Sequence, residues 1–475
     1  MTAALAAAGV VAAAELAVIA VLLAAVARRA RNLAVRRGLE RAAAPVPAED
    51  PAEEQRLLHE KWAARLEHGF SATALEPLLR TARNQDNPPD HRLQVLETLD
   101  AWLQADELAR EAAQERDLDV LIVSHFGLPG GNTSANVADI TALTAAGLRV
   151  GLLHHPVYRW DVAVPLNTKI TELVDGEHVV LVGAHDTVRC GLAIVRLPTI
   201  MGRLMDDLPR IEAGRTVLIV NQVPFTYYDA DGGRRPQWDP RAVHDTVQAW
   251  LGDHTWYLVG PEVRRTLERH HGDAIEGIDI ADEYWYEIIE TAEWRRDARP
   301  DGDGRIRIGR HTRDAPLKWP ETPEKLLACY PADPAFEVRA LGGAATPREM
   351  LGELPANWTE LPFGSVPARE FLYGLDVFVY FIADDCIEAF GRSPLEAMAA
   401  GVPCVMDSRF EALFGDAAVY CAPEDVADTV RALAADPDAY AAQALRALAT
   451  VEEDFSPAAL VRRVARLGAA APDRP

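Results

Sequence analysis

The sequence predicts an α/β protein: two doubly wound parallel-sheet domains in tandem, behind an N-terminal helical region. Three observations lead there. From Leu118 onward, short runs rich in Val, Ile and Leu alternate with stretches of helical periodicity, and a parallel sheet needs that alternation. The alternation restarts at Arg305, after an Asp- and Arg-rich stretch from Trp294 to Gly304 that reads as a linker. The chain has 475 residues, 49% hydrophobic and 25% charged, enough for two such domains with some left over.

In order along the chain, the first element is apolar. Between Thr2 and Val26 the one charged residue is Glu15, and Leu16–Val26 is apolar throughout. Arg28, Arg29, Arg31, Arg36, Arg37 and Arg41 follow. A membrane-spanning helix needs about 20 apolar residues, so residues 1–27 are expected to form a membrane anchor. Positive charge after the run, with none before it, is the reverse of a signal peptide and predicts that the following chain stays cytoplasmic. An interfacial or oligomerising helix is the competing expectation.

Residues 28–117 hold this basic segment and a helical region. A Pro-rich break at 44–51 precedes amphipathic stretches carrying Leu57, Leu58, Trp62 and Leu66, then Leu93, Leu96, Leu99 and Trp102. A packing layer or stalk is expected of them, without chemistry. The first domain, 118–293, opens with a buried strand at Asp119–Ser124, a Gly127–Gly131 loop and a helix from about Ser134 to Ala146. Strands follow at 148–153, 179–182, 192–195, 216–220 and 256–259. Gly130 and Gly131 sit where a strand turns into a helix, where glycine lets a backbone approach a ligand and the helix N-terminus favours phosphate. A tight turn alone would also explain them.

The second domain, 305–455, has predicted strands at 305–308, 336–339, 377–380, 403–406 and 418–420, and residues 456–475 hold a closing helix and tail. Its most informative segment reads Glu388-Ala-Phe-Gly-Arg-Ser-Pro-Leu-Glu396, then an Ala-rich helix and a Gly-Val-Pro strand. Ligands of such sheets bind outside the carboxyl ends of the strands, where this acidic loop falls. Ser393-Pro394-Leu395-Glu396 is also a capping box, which would explain Glu396 without a ligand.

This segment resembles the Glu-(seven residues)-Glu motif of the family 4 retaining glycosyltransferases, and Val220–Pro224, Gly260–Val263 and Glu293–Arg296 are similar to segments of bacterial, particularly actinobacterial, members. The resemblance covers about residues 118–470. It implies the GT-B fold, two Rossmann-like domains facing each other across a cleft, with the first domain taking the acceptor and the second the nucleotide-sugar donor. Glu388 and the Phe390-Gly391 amides would contact the donor sugar and its diphosphate, and Glu396 the ribose hydroxyls. The family places an Arg and a Lys just past the first strand of the second domain to clamp the diphosphate; Arg310 and Lys318 match in order and spacing. Gly130 and Gly131 match its glycine loop, and the closing helix its helix that crosses back to the first domain. Catalytic work is thus expected of Glu388, Arg310 and Lys318, and donor binding of Gly130, Gly131, Phe390, Gly391 and Glu396.

A formal net charge of −24 excludes an ordinary nucleic-acid binder, which would carry a basic stripe. Cys190, Cys329, Cys386, Cys404 and Cys421 are scattered and read as reduced core residues. Asp229/Asp231 and Asp301/Asp303 imitate an Asp-x-Asp metal motif but lie in Gly- and Arg-rich turns, so no metal and no cofactor is expected. His154 and His155 end one predicted strand and His185 follows another, so either could face the cleft, although a hydrogen-bonded structural role is the more ordinary fate of such residues. The expected function is metal-independent, retaining transfer from a nucleotide-diphosphate sugar to an envelope glycan or lipid-linked acceptor. An epimerase-like two-domain enzyme and a non-catalytic tethered scaffold are the alternatives.

Overall fold

A computed structural model describes residues 51–157, 165–229, 232–300 and 304–469. The expected anchor (1–27), the arginine cluster up to Arg41, and Asp231, Asp301 and Asp303 lie outside the described residues. Among the described residues no helix is long and apolar enough to cross a membrane.

Three helices come first: α1 (Pro51–Glu67), α2 (Ser71–Arg83) and α3 (Pro89–Glu111). They close on a small core of Leu66, Ala74, Leu78, Val95 and Leu99. His185 ties them to the first domain through Asp106 of α3, 2.6 Å away.

The first domain runs through β1 (Glu115–Ser124), α4 (Gly131–Ala145), β2 (Val150–His154), β3 (Val179–Leu181), β4 (Thr187–Arg196) and β5 (Arg210–Val220). A hairpin of β6 (Phe225–Asp229) and β7 (Gly232–Pro236) leads to α5 (Pro240–Leu251), β8 (Thr255–Leu258) and α6 (Pro261–Ile275). The main sheet is parallel throughout, in the order β3-β2-β1-β4-β5-β8. Its central strands read as unbroken apolar runs because helices cover both faces. Three strands, β1, β4 and β5, start four to six residues earlier than expected. The first residues of β1 are charged and solvent-facing, so hydropathy hides them, yet they pair with Thr187–Arg189 of β4.

The second domain repeats the plan with β9 (Ile306–His311), α7 (Pro323–Cys329), β10 (Phe336–Leu341), α8 (Ala345–Leu351), β11 (Trp358–Leu361), α9 (Ala368–Tyr373), β12 (Val377–Tyr380), α10 (Arg392–Ala399), β13 (Cys404–Met406), β14 (Val419–Tyr420) and α11 (Val426–Ala435). Its parallel sheet is ordered β11-β10-β9-β12-β13-β14. The unforeseen β11 is a four-residue edge strand with two polar residues. Two helices close the chain, α12 (Pro437–Asp454) and α13 (Pro457–Arg466), and α13 packs on α4 of the first domain. Arg463 and Arg466 of α13 hold Glu283 at 3.3 and 2.5 Å.

Both sheets have strand order three-two-one-four-five-six, so each has a switch point between its first and fourth strand. An aromatic cluster of Tyr286, Phe390, Phe414 and Phe455 joins the domains, with ring centroids 4.7–6.4 Å apart. Where α6 begins, the backbones nearly touch: a Cβ added to Gly260 would lie 3.0 Å from the Ala389 carbonyl oxygen. That approach explains a glycine there, since its extended backbone does not require one.

Candidate active site at the switch point of the second sheet

β9 and β12 lie side by side, and the chain leaves them in opposite directions, towards β10 and β13. Their carboxyl ends therefore open a crevice, the usual ligand position in such sheets. Lys318 stands in the loop after β9 and Glu388 in the loop after β12, and the structure brings them together. The Lys318 ammonium pairs with Glu388 Oε2, and the Tyr380 hydroxyl donates to the same oxygen at 2.8 Å. Both ion-pair partners keep some exposure, 29% and 19% of their side chains, enough to meet a ligand. The loops are fastened to each other: the Ala383 amide donates to the Leu317 carbonyl at 3.2 Å, and Arg409 donates to the Ala383 and Cys386 carbonyls at 3.0 and 3.4 Å.

Beside this pair the chain turns through Phe390 and Gly391 into α10. Gly391 has φ 92° and ψ 63°, the left-handed region that favours glycine. The amide N–H groups of Phe390 and Gly391 have no acceptor among the described residues, and the first amides of α10 are unsatisfied by geometry. Unpartnered amides at a helix start favour an anion. The Phe390 ring takes no part in it; it is buried in the interdomain aromatic cluster.

Glu396 does not cap the helix. The helix starts at Arg392, the cap is Gly391, and no side chain bonds to the cap amides, so the expected capping box is absent and Glu396 falls beyond the first turn. Its carboxylate instead accepts from Arg392 Nε at 3.1 Å and lies 3.3 Å from His311 Nε2. Burial raises its pKa above the ordinary glutamate value, against the opposing pull of Arg392. Half-buried on α10 beside the end of β9, with spare acceptor capacity, Glu396 is suited to receiving hydroxyl donors.

Arg310 departs from expectation. Its guanidinium is 1% exposed and turned inward, donating to the Tyr330 hydroxyl at 3.1 Å, to the Phe381 carbonyl at 2.9 Å and to the Lys318 carbonyl. It also stacks on Trp319 at 4.1 Å. Its guanidinium is therefore not placed for the direct contact expected of it. The residue pins the loop carrying Lys318, because its β9 position aims it under the sheet end instead of over it.

Gly130 and Gly131 open α4 at the first sheet's own switch point, between β1 and β4. Gly130 has φ 94°, and no atom lies within 4 Å of where either Cβ would be. They lie on the opposite domain, and no hydrogen bond joins them to Lys318 or Glu388 among the described residues. His155 is buried, takes the Met205 amide at 3.3 Å and is held neutral by burial, its pKa pushed down to about 3. His154 Nδ1 accepts from the Phe126 amide at 3.1 Å. The described cysteines are all free, and no cluster of three or more His, Cys, Asp or Glu able to hold a metal occurs among the described residues.

Sequence patterns gave no sign of Arg392 and Glu287. Arg392 links Glu396 to the last segment of the first domain, donating to the Ile288 carbonyl at 2.9 Å and lying 3.7 Å from Glu287. Burial raises the Glu287 pKa, with Arg392 opposing. Nearby, Arg196 and Asp139 form a buried ion pair. Charges at the end of an apolar strand (Arg196) and beside Ile140 on a helix (Asp139) were the available signal.

No protein-family model matches the chain. No curated protein matches it either. Among solved structures it is similar to Anabaena Alr3699/HepE in complex with UDP and glucose, at 12% identity, covering 74% of this chain and 98% of that one with a TM-score of 0.49. A glycosyltransferase from Rickettsia africae ESF-5 gives 12%, 75%, 97% and 0.49. OtsA in its apo form gives 13%, 74%, 100% and 0.46.

Proposed function

We propose that the chain is a retaining, metal-independent glycosyltransferase that uses a nucleotide-diphosphate sugar, tethered at the cytoplasmic face of a membrane, with a glycan or lipid-linked envelope acceptor. One observation carries the reading: a partly exposed Lys318–Glu388 pair stands at a sheet switch point beside two unpartnered amides at a helix start. A diphosphate needs a cation and oriented N–H donors, and a sugar ring needs a carboxylate acceptor; all three converge there. Solved structures of similar fold include one holding UDP and glucose.

The resemblance to family 4 enzymes implies attack by the acceptor hydroxyl from the face the nucleotide leaves, with the leaving phosphate taking the acceptor proton. On that mechanism the protein's work is electrostatic. Lys318 and the Phe390 and Gly391 amides stabilise charge growing on the phosphate, and one such donor is worth about 2.7–4 kcal/mol of transition-state stabilisation. Glu388, oriented by Tyr380, holds Lys318 in place and accepts from the donor sugar. Glu396 accepts from the ribose, and Arg310 acts on the reaction through the Lys318 loop.

The test uses the full chain in membranes with UDP-glucose, GDP-mannose and ADP-glucose in turn, with and without an envelope extract as acceptor. Release of nucleotide diphosphate that rises with acceptor, persists in EDTA and gives a product of unchanged anomeric configuration supports the reading. Conversion of the sugar without nucleotide release would indicate an epimerase, and no turnover with any donor a scaffold. Loss in EDTA with recovery on manganese would overturn metal independence.

A further inference from the structure

Arg392 occupies the first position of α10, an unfavourable place for a cation, and the first turn holds no acidic residue. Unsatisfied amides make a helix start electropositive, so an arginine there opposes the helix dipole. Its pairing with Glu396, four residues on, also runs in the weaker order, because a carboxylate that precedes a cation stabilises a helix better than the reverse. Helix stability therefore does not account for Arg392. Its contacts do. Nε donates to Glu396 Oε1 at 3.1 Å. Nη1 reaches the first domain, donating to the Ile288 carbonyl at 2.9 Å and lying 3.7 Å from Glu287 Oε2. A guanidinium presents its donors in a rigid planar fork, so anchoring one edge sets the direction of the other.

The carboxylate of Glu396 is flanked on its other oxygen by His311 of β9, whose Nε2 lies 3.3 Å from Oε2. Burial holds His311 neutral, its pKa pushed down to about 4, so Arg392 is the one cation acting on Glu396 among the described residues. A second carboxylate shares that cation. Glu287 and Glu396 have side chains only 14% and 15% exposed, so water does little to stabilise either charge. Burial is the main influence raising the Glu396 pKa; Arg392 opposes it and Glu287 adds to it. Glu287 itself is faced by Arg392, by Glu388, and by Arg196 and Asp139, which pair with each other. A carboxylate with one cation and one rival is finely balanced. Without the cation it takes up a proton more readily, and without the rival it stays ionised to lower pH.

We infer that Arg392 is a positioning residue for donor binding: anchored on Ile288 and shared with Glu287 of the first domain, it holds Glu396 ready to receive the ribose hydroxyls. The inference rests on the glycosyltransferase reading and gives two first-domain residues a part in holding the donor. The test is calorimetric titration of the full chain, from acid to alkaline pH, with whichever of UDP-glucose, GDP-mannose or ADP-glucose the parent binds most tightly. R392M should weaken binding at neutral pH on the order of tenfold, as for a lost hydrogen bond to a charged group, and recover affinity as pH rises. R392K keeps the charge and loses the fork, so it should weaken binding at every pH while the acid limb stays near the parent's. E287Q removes the rival charge and should hold affinity to lower pH than the parent. In an E396A background, R392M should cost nothing further. A loss in R392M that is uniform across pH, an acid limb unmoved in E287Q, or a further loss in R392M/E396A would each overturn the inference. Should R392M not fold, R392K and E287Q decide it. Absence of donor binding by the parent at any pH would instead overturn the glycosyltransferase reading itself.

Discussion

Replacing Arg310 by Ala separates a residue that touches the diphosphate from one that holds its loop. The substitution removes a guanidinium that is 1% exposed and leaves the Tyr330 hydroxyl and the Phe381 and Lys318 carbonyls without their charged donor. It also empties the space over Trp319, 4.1 Å from the guanidinium. A hydrogen bond to a charged group contributes about 1.5–3 kcal/mol net, and the three share one side chain, so they do not add fully. Truncating one member of a buried charged network costs about 3–5 kcal/mol, and that is the expected loss for R310A. Urea unfolding followed by Trp fluorescence measures it, and calorimetric titration of the folded protein with donor measures what remains of the site. Donor affinity should fall by about tenfold or less, through loosening of Lys318. A variant within about 1 kcal/mol of the parent that has nevertheless lost donor binding would refute the reasoning and place Arg310 on the phosphate.

Three further outcomes follow from the same geometry. Glu396 is pushed above the usual 4.5 by burial, and only its ionised form can accept two ribose hydroxyls; donor affinity should therefore fall with falling pH from above that value, and E396A should abolish the dependence. An identical pH profile in E396A would assign the titration elsewhere. His311 and His155 are held neutral, at about 4 and about 3 against an unfolded value of 6.5, so the unfolded chain binds protons first; the stability they contribute should be complete above pH 6.5 and decline as pH falls towards 4, by roughly 3 kcal/mol for His311. A urea midpoint that does not move between pH 7 and 5 would contradict this. Deleting residues 1–42 should release the protein from membranes and leave donor affinity intact, and full-length protein should resist high salt, which weakens attraction of Arg28–Arg41 to headgroups; release of the full-length chain by salt alone would show a surface-bound segment.

Most of the architecture was legible because a parallel sheet covered on both faces must use continuous apolar strands, and Val120–Val123, Val217–Val220 and Val377–Tyr380 are such runs. What escaped were strands whose residues do not look buried: Glu115–Asp117, Arg210–Arg215 and the edge strand Trp358–Leu361. Hydropathy reports burial, whereas those strands are set by pairing. At the candidate site, Lys318 and Glu388 were named through the resemblance to family 4 enzymes, and topology explains why they meet, since each follows one of the two strands that flank the switch point. Whether a side chain turns into the cleft or under it cannot be read from spacing, and that is where Arg310 diverged. Ser393–Glu396 fitted a cap by residue type, but the left-handed Gly391 starts the helix two residues earlier. Arg392 and Glu287 meet only because the domains face each other, a relation no local pattern encodes.

The central claim is that the crevice of Lys318, Glu388 and the Phe390-Gly391 amides binds a nucleotide-diphosphate sugar. A thermal-shift titration of the full chain with UDP-glucose, GDP-mannose and ADP-glucose tests it most directly, because a ligand bound only by the folded state raises the melting temperature with occupancy, by about 2.7 kcal/mol of stability at a hundred times Kd. At least one donor should give a saturable rise that K318A, a partly exposed side chain outside the core, reduces sharply without lowering the unliganded melting temperature. No shift with any of the three, or a shift that K318A leaves intact, would contradict the account.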